Sequence, residues 1–426
     1  MQVARSRISS VALALSTLVF AAPALPPLGG NVLVVDDDGT APFTAIQSAV
    51  NAAIDGDVVL VRPGNYSGFL VTNKSLVVVG DTGGAVTVQG AVRVLDLAAS
   101  RTVVLANLLV TGDSGVDVGL ASGLDCADNA GIVRAESCSF TGGGFVSSGG
   151  VRVRSSVDVS LTGCTLRGGT AVTSTLASAA VDAANSSRVT VYGCELDGAM
   201  GSAVSCSEVP PHGHTGGFGG WVRDGFLFGS GSKFSGGQSG DAPASSAFNC
   251  MATGSGGTGL FAENADVRLL NCVTIAGQPG LLLDNGCGPC GSLGYAGSAQ
   301  FGGTIATLPG SARNLHAPTP VIGGTSATIA LAGTPGDRVS LLVSETTTPA
   351  TFVPQWRGML QVPNPRTGGD TRVLAAGTIP ASGQLNYALS LPAAGANART
   401  VFIQGLFHST QGEVVLSGAR SLTALP

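Results

Sequence analysis

The chain has 426 residues, enough for two or three ordinary domains or for one long repeat array. Charged residues make up 11% and aromatics 5%, with 64 Gly and a mean hydropathy of +0.37, a profile too apolar for a disordered chain. A formal charge of −5, with Lys74 and Lys233 as the two lysines, leaves no basic field for nucleic acid or an anionic membrane surface.

Met1 to Ala24 carries Arg5 and Arg7, an apolar stretch from Val11 to Ala22, and the small-x-small triplet Ala22-Pro23-Ala24. That run is too short to span a bilayer, so residues 1–24 read as a secretory signal peptide. Its removal takes away two positive charges, giving −5 − 2 = −7 for the mature chain. The expectation is an exported protein, secreted or at the cell surface, with no membrane span.

Asn31 to Val35 reads as a strand. Phe43 to Ile54 has apolar residues at 43, 46, 49, 50, 53 and 54, the spacing of an amphipathic helix. Such a helix can cover strand edges that would otherwise pair with other chains. Asp57 to Pro63, the turn Gly64-Asn65-Tyr66 and Leu76 to Gly80 then read as a first coil.

The stretch Val35 to Asp81 resembles the N-terminal cap and first coil of secreted right-handed parallel β-helix proteins of the pectin lyase-like superfamily: helix, Gly-Asp, apolar strand, Pro-Gly-x-Tyr, apolar strand, Gly. The resemblance implies an all-β right-handed parallel β-helix with an N-terminal capping helix. It does not select among lyases, esterases, hydrolases and inactive members, because one fold hosts many activities.

A recurring phrase extends the coils: Val133–Gly143, Val159–Gly169, Val189–Gly198 and Val267–Gly277, each with alternating apolar residues, a Cys and a closing Gly. The Cys steps are 164 − 138 = 26 and 194 − 164 = 30, and 272 − 194 = 78 reads as three further coils. This is the periodicity of a solenoid. Cys138, Cys164, Cys194 and Cys272 read as an internal stack, and Asn129, Asn185 and Asn264 as a corner stack.

With the Cys phase as ruler, Asp96, Asp125, Arg152 and Asp182 fall in one outward column, with Arg154 and Glu263 in the next. Carboxylates around one Arg suit β-elimination on an acidic polysaccharide, with Ca²⁺ bridging to the sugar carboxylate. The competing reading of the same column is a ladder of cross-strand ion pairs. The Asn-Thr-Asp, Asp-Asp and His-Gly signature of polygalacturonases is missing in register. Asp224 to Gly229 departs from the esterase run by one extra Gly. Among enzymatic readings, lyase therefore ranks ahead of glycoside hydrolase and esterase.

Residues 206–250 read as a Gly- and Pro-rich loop insertion that Cys206 and Cys250 could staple, with Trp221 as a candidate sugar-stacking residue. His212 and His214 alternate but lack a third metal ligand. Cys287-Gly288-Pro289-Cys290 reads as a local disulfide, since it lacks the strand-to-helix setting of a redox dithiol. Pro318 and Pro320 mark a linker closing the β-helix of residues 25–315. From 316 to 426, short segments at Ala327–Ala332, Arg338–Ser344, Gly358–Val362, Gln384–Leu391, Thr400–Phe407 and Val414–Leu416 read as a small C-terminal β-sandwich. It resembles modules that bind, anchor or aid secretion in exported bacterial proteins.

The whole reads as an exported monomeric β-helix that binds, and in an enzymatic version cleaves, an acidic polysaccharide. The alternative is a non-catalytic surface, adhesion or spacer protein.

Overall fold

A computed structural model describes residues 29–114, 121–144, 148–170, 178–202, 214–243, 251–283, 291–292, 294–367, 369–393 and 395–426. The signal segment 1–24 and Cys206, Cys250, Cys287 and Cys290 lie outside the described residues.

The chain winds as a parallel β-helix. One face is a ten-stranded parallel sheet running from Val32–Val35 to Thr304–Leu308. The second and third faces share one sheet because the strands Gly64–Thr72 and Val86–Leu95 run round the corner between them. The corner is a bulge at Gly68 and Gly90, and Gly90 has φ +107. Beyond it the second face uses short strands such as Ser139–Thr141, and the third uses strands such as Val151–Arg154. Val, Leu and the Cys stack point inward from all three faces into one core.

Register corrects the coil count. Lys233 pairs with both Glu195 and Val273, so Ser232 holds the phase between Cys194 and Cys272. The 78-residue gap is thus two coils, 232 − 194 = 38 and 272 − 232 = 40. Gly220–Arg223, Phe226–Ser230 and Lys233–Ser235 are strands of the extra coil, not part of a loop as expected. Aromatic residues replace the Cys phrase there, which hides the repeat. Cys126, Cys138, Cys164, Cys194 and Cys272 are free thiols, and burial pushes Cys138 up to about 12 and Cys272 up to about 11.

The corner after each third-face strand needs a left-handed residue. Asp96 (φ 54), Asp128 (55), Ser155 (46), Asn185 (59), Asp224 (48) and Asn264 (55) supply it, since short polar side chains tolerate that region. Asn129 follows Asp128 and is buried, its Nδ2 donating to the Val94 carbonyl at 2.8 Å, so it does not share the position of Asn264.

The cap is a helix over Ile46–Ala52, shorter than the spacing predicts. Phe43 instead bridges to Val35, and Ile54 is 65% exposed. Gln47 exchanges hydrogen bonds with the backbone of Leu70, satisfying a strand edge. Lys74 Nζ donates to the carbonyls of Val50 at 2.8 Å and Ala53 at 2.7 Å, closing the helix C-terminus.

The C-terminal strands do not hang free behind a linker. They include the expected segments and also Arg372–Thr378 and Arg420–Leu425, in sheets of three and six strands with Gly358–Leu360 in a further two-stranded one. Leu342, Leu360, Phe402, Leu406 and Leu416 pack on Val58, Val77, Val79 and Val104, the outward side of the first sheet. That sheet is therefore covered on both faces. The sign was already in the sequence: Val58–Val61 and Leu76–Val79 are continuous apolar runs, the pattern of a doubly covered parallel sheet.

Midway along the interface, burial is polar. Glu136 accepts from the Ser421 amide at 2.9 Å and from its hydroxyl at 3.1 Å, and Arg420 donates to the Thr162 carbonyl at 2.9 Å. Asp158 accepts from the Ala350 amide at 2.8 Å, and the Tyr192 hydroxyl accepts from the Met359 amide at 3.0 Å. Burial pushes the Glu136 carboxyl above its ordinary value, against the pull of Arg420. Between the unfolded and folded values the folded state therefore holds a proton that the unfolded chain has released, and stability falls as pH rises. Glu136→Gln cannot titrate, so its melting temperature should gain on wild type as pH rises through that interval and run level below it. Melts of both proteins from about pH 4 to 8 check this, and the opposite slope contradicts it.

Candidate functional site

The third face carries the candidate column. Val92, Val94, Leu124, Cys126, Val151, Val153, Val181 and Ala183 point inward and are buried. The residues between them point outward, by the two-residue strand period. Register places Arg93 beside Asp125, Asp125 beside Arg152, Arg152 beside Asp182, Asp182 beside Trp221 and Trp221 beside Phe261. Phe261 in turn meets Phe301.

Asp125, Arg152 and Asp182 thus stand together as expected. Asp96 does not: it is the left-handed corner residue after its strand, and Arg93 takes its place. The signal was legible, because Val92-Arg93-Val94 repeats Val151-Arg152-Val153. Arg154 and Glu263 fall in the neighbouring column, beside Ala184 and Arg223 respectively. Trp221 lies on a third-face strand, not on a loop.

The carboxylates are saturated by guanidiniums. Asp125 is 1% exposed, and its Oδ1 accepts from Arg152 at 2.8 Å while Oδ2 accepts from Arg93 at 3.3 Å. Asp182 accepts from Arg223 at 3.0 Å on Oδ1 and from Arg154 on Oδ2. Arg154 also donates to the Asp182 carbonyl at 2.8 Å. With Asp125 buried and each carboxylate already facing two guanidiniums, whose charge repels a cation, this donor set does not fit Ca²⁺. Among the described residues no three His, Cys, Asp or Glu side chains converge on a common point. His214 instead shares a hydrogen bond with the Ser202 hydroxyl.

Within the column Arg93 and Arg152 balance Asp125 and Asp182. Over this column and its neighbour, Arg93, Arg152, Arg154 and Arg223 against Asp125, Asp182 and the exposed Glu263 give 4 − 3 = +1, on a chain of −5. Each guanidinium has five donors and spends only one to three here, so its outer N–H groups can meet an anionic oxygen. Towards the C-terminal end the column becomes aromatic. Phe218 lies 5.3 Å from Trp221 and 5.5 Å from Phe261, and Phe261 lies 5.5 Å from Phe301, between ring centroids. The Arg223 guanidinium stands 4.0 Å over the Trp221 ring. Phe218 and Phe301 were missed because their coils lack the Cys phrase used as ruler, whereas Phe261 precedes the Cys272 phrase and falls on the column strand, its ring simply not singled out.

No family model matches the chain, and no curated protein does. Among solved structures the chain is similar to the full-length tailspike protein 2 of Escherichia coli O157:H7 bacteriophage CAB120, with 10% identity over 90% of this chain and 67% of that one, TM-score 0.29. It is likewise similar to the enzymatically active domain of bacteriophage CBA120 tailspike protein 2, with 10% identity over 88% of this chain and 73% of that one, TM-score 0.25.

Proposed function

We propose that this exported β-helix binds an extended acidic polysaccharide along its third face and does not cleave it there. The observation that carries the reading is the guanidinium surplus set in a fixed row beside an aromatic ladder. Buried Asp125 and Asp182 act as anchors: each holds two Arg side chains in place, which lowers the ordering cost of meeting a ligand. Arginines stand on alternate coils, about 10 Å apart at two strand spacings, so ligand anions at that separation can meet successive guanidiniums. The aromatic end offers apolar edges to sugar C–H groups.

Titration with polygalacturonate, followed through Trp221 fluorescence in a Trp356→Phe background, should show saturable quenching that weakens with salt. Arg152→Ala should lower affinity about tenfold, and a neutral glucan should give no change. A second reading, a rigid spacer without ligand, is favoured by the fact that all four arginines already pair with Asp125 or Asp182. No binding of any acidic glycan would leave that reading standing.

A further inference from the structure

A cavity of about 280 Å³ lies where the C-terminal strands Asn314–His316, Ser326–Ala332 and Gln384–Ser390 meet the corner of the β-helix at Gly163 and Gly193. None of the third-face residues lines it. Asn314 pairs with Ala332 and Ala332 with Gln384, while His316 pairs with Ala330. Leu315 and Leu331 turn into the sandwich core, so Asn314, His316 and Gln384 face the other way, with alanine between them. The small alanines leave the space open.

Arg420, 7% exposed, also lines the cavity. Its Nη1 donates to the Thr162 carbonyl at 2.9 Å and the Ser137 hydroxyl at 3.1 Å, and its Nε to the Leu315 carbonyl at 3.4 Å. Among the described residues Nη2 has no acceptor, and Glu136 spends its carboxylate on Ser421 and forms no ion pair with Arg420. The side chains of Asn314, His316 and Gln384 likewise have no hydrogen-bond partner among the described residues. Burial and the Arg420 charge hold the His316 imidazole below its ordinary value, so at pH 7 it is neutral and offers one donor and one acceptor.

Glycine at 193 has no reason in the packing of the chain itself. Asn107 (φ 57), Ser137 (52) and Asn271 (51) take the same left-handed corner in other coils, so the dihedral alone does not call for it. At Gly163 a Cβ would strike the Arg420 guanidinium, but at Gly193 it would meet only the Asn314 Oδ1, at 3.6 Å, an ordinary contact. What a side chain at 193 would take up is the cavity.

We propose that this cavity binds a free hydroxy-carboxylate of monosaccharide size, with the chemistry of a uronic acid. Arg420 Nη2 meets the carboxylate, and the two amides and the imidazole meet hydroxyls. The site is separate from the third face and stands whether or not a glycan binds there.

Calorimetric titration of the full mature chain with D-galacturonate and with D-glucuronate should show one saturable site for at least one of them, about tenfold tighter or more than for D-galactose, which lacks the carboxylate. Gly193→Asn, carrying the side chain that other coils use, should abolish binding without changing the melting temperature. His316→Leu should weaken it about tenfold. Arg152→Ala on the third face should leave it unchanged, which separates this site from the glycan row. Binding of neither uronate overturns the proposal. So does equal affinity for D-galactose, loss of the signal in Arg152→Ala, or wild-type affinity in either cavity variant; if Gly193→Asn does not fold, His316→Leu decides.

Discussion

Replacing Arg134 with methionine is expected to destabilise the protein by about 3–5 kcal/mol, the usual cost of stripping one partner from a buried charge group. Arg134 is the largest fully buried side chain, at 1% exposure, on the outward side of the first sheet beneath the C-terminal strands. Its Nη2 donates to the Gln361 carbonyl at 2.7 Å and to the Thr347 hydroxyl, and its guanidinium lies 5.3 Å from the Phe402 ring centroid. It is also the charge that offsets Asp158 and part of Glu136, while desolvation pulls its own value down. Methionine keeps most of the volume but leaves buried Asp158 with Arg188 alone to offset its charge. Adding Asp158→Asn should return part of the loss, because the two residues share one network and their effects are not additive. Urea unfolding of the two single variants and the double variant measures this. A loss under about 1 kcal/mol for Arg134→Met would mean that the interface does not depend on its charges.

Gly237→Val should cost about 3 kcal/mol or more and lower the yield of folded protein, as overpacking against backbone does at its severe end. The Gly237 amide donates to the Gly217 carbonyl at 2.8 Å, and its own carbonyl accepts from Gly257 at 2.8 Å. Gly277 and Gly297 continue the ladder at 2.8 and 2.9 Å, each 20 residues on, as 277 − 257 = 20 and 297 − 277 = 20 show. A Cβ on Gly237 would stand 1.8 Å from the Ala199 carbonyl oxygen, and one on Gly257 1.9 Å from that of Gly217. Backbone hydrogen-bonded on both sides cannot move aside cheaply, so close approach, not left-handed dihedral freedom, demands glycine here. Gly144→Val is the control, since among the described residues nothing lies within 4 Å of a Cβ there, and it should stay within about 0.5 kcal/mol. Equal melting temperatures for the Gly237 and Gly144 variants would contradict the ladder.

Particular residues show how far the sequence could be read. The β-helix was legible because inward alternation and the Cys phrase repeat over most coils, and cap and first coil carry their own pattern. Asp125, Arg152 and Asp182 were placed correctly by counting from Cys. Asp96 was not, because the corner that follows Val86–Leu95 takes an Asp for its dihedral, and an Asp in a turn looks like an Asp in a column. Nor does a one-dimensional pattern say that Asp125 would hold two arginines from neighbouring coils. That pairing is the cross-strand ion ladder that stood beside the lyase reading of the same letters. The docking of the C-terminal strands was missed for a similar reason: Arg134, Glu136 and Asp158 look like solvated outward residues until partners 192 to 285 residues away in the chain cover them.

The central claim is that the arginine row of the third face meets an acidic glycan, and the most direct measurement is a crystal structure of the protein with an oligogalacturonate. The account predicts the oligosaccharide lying along the solenoid axis, with its carboxylates on Arg93, Arg152 and Arg223 and Asp125 still paired with Arg93 and Arg152. An oligosaccharide bound on another face, or one that displaces those arginines from Asp125, would contradict it.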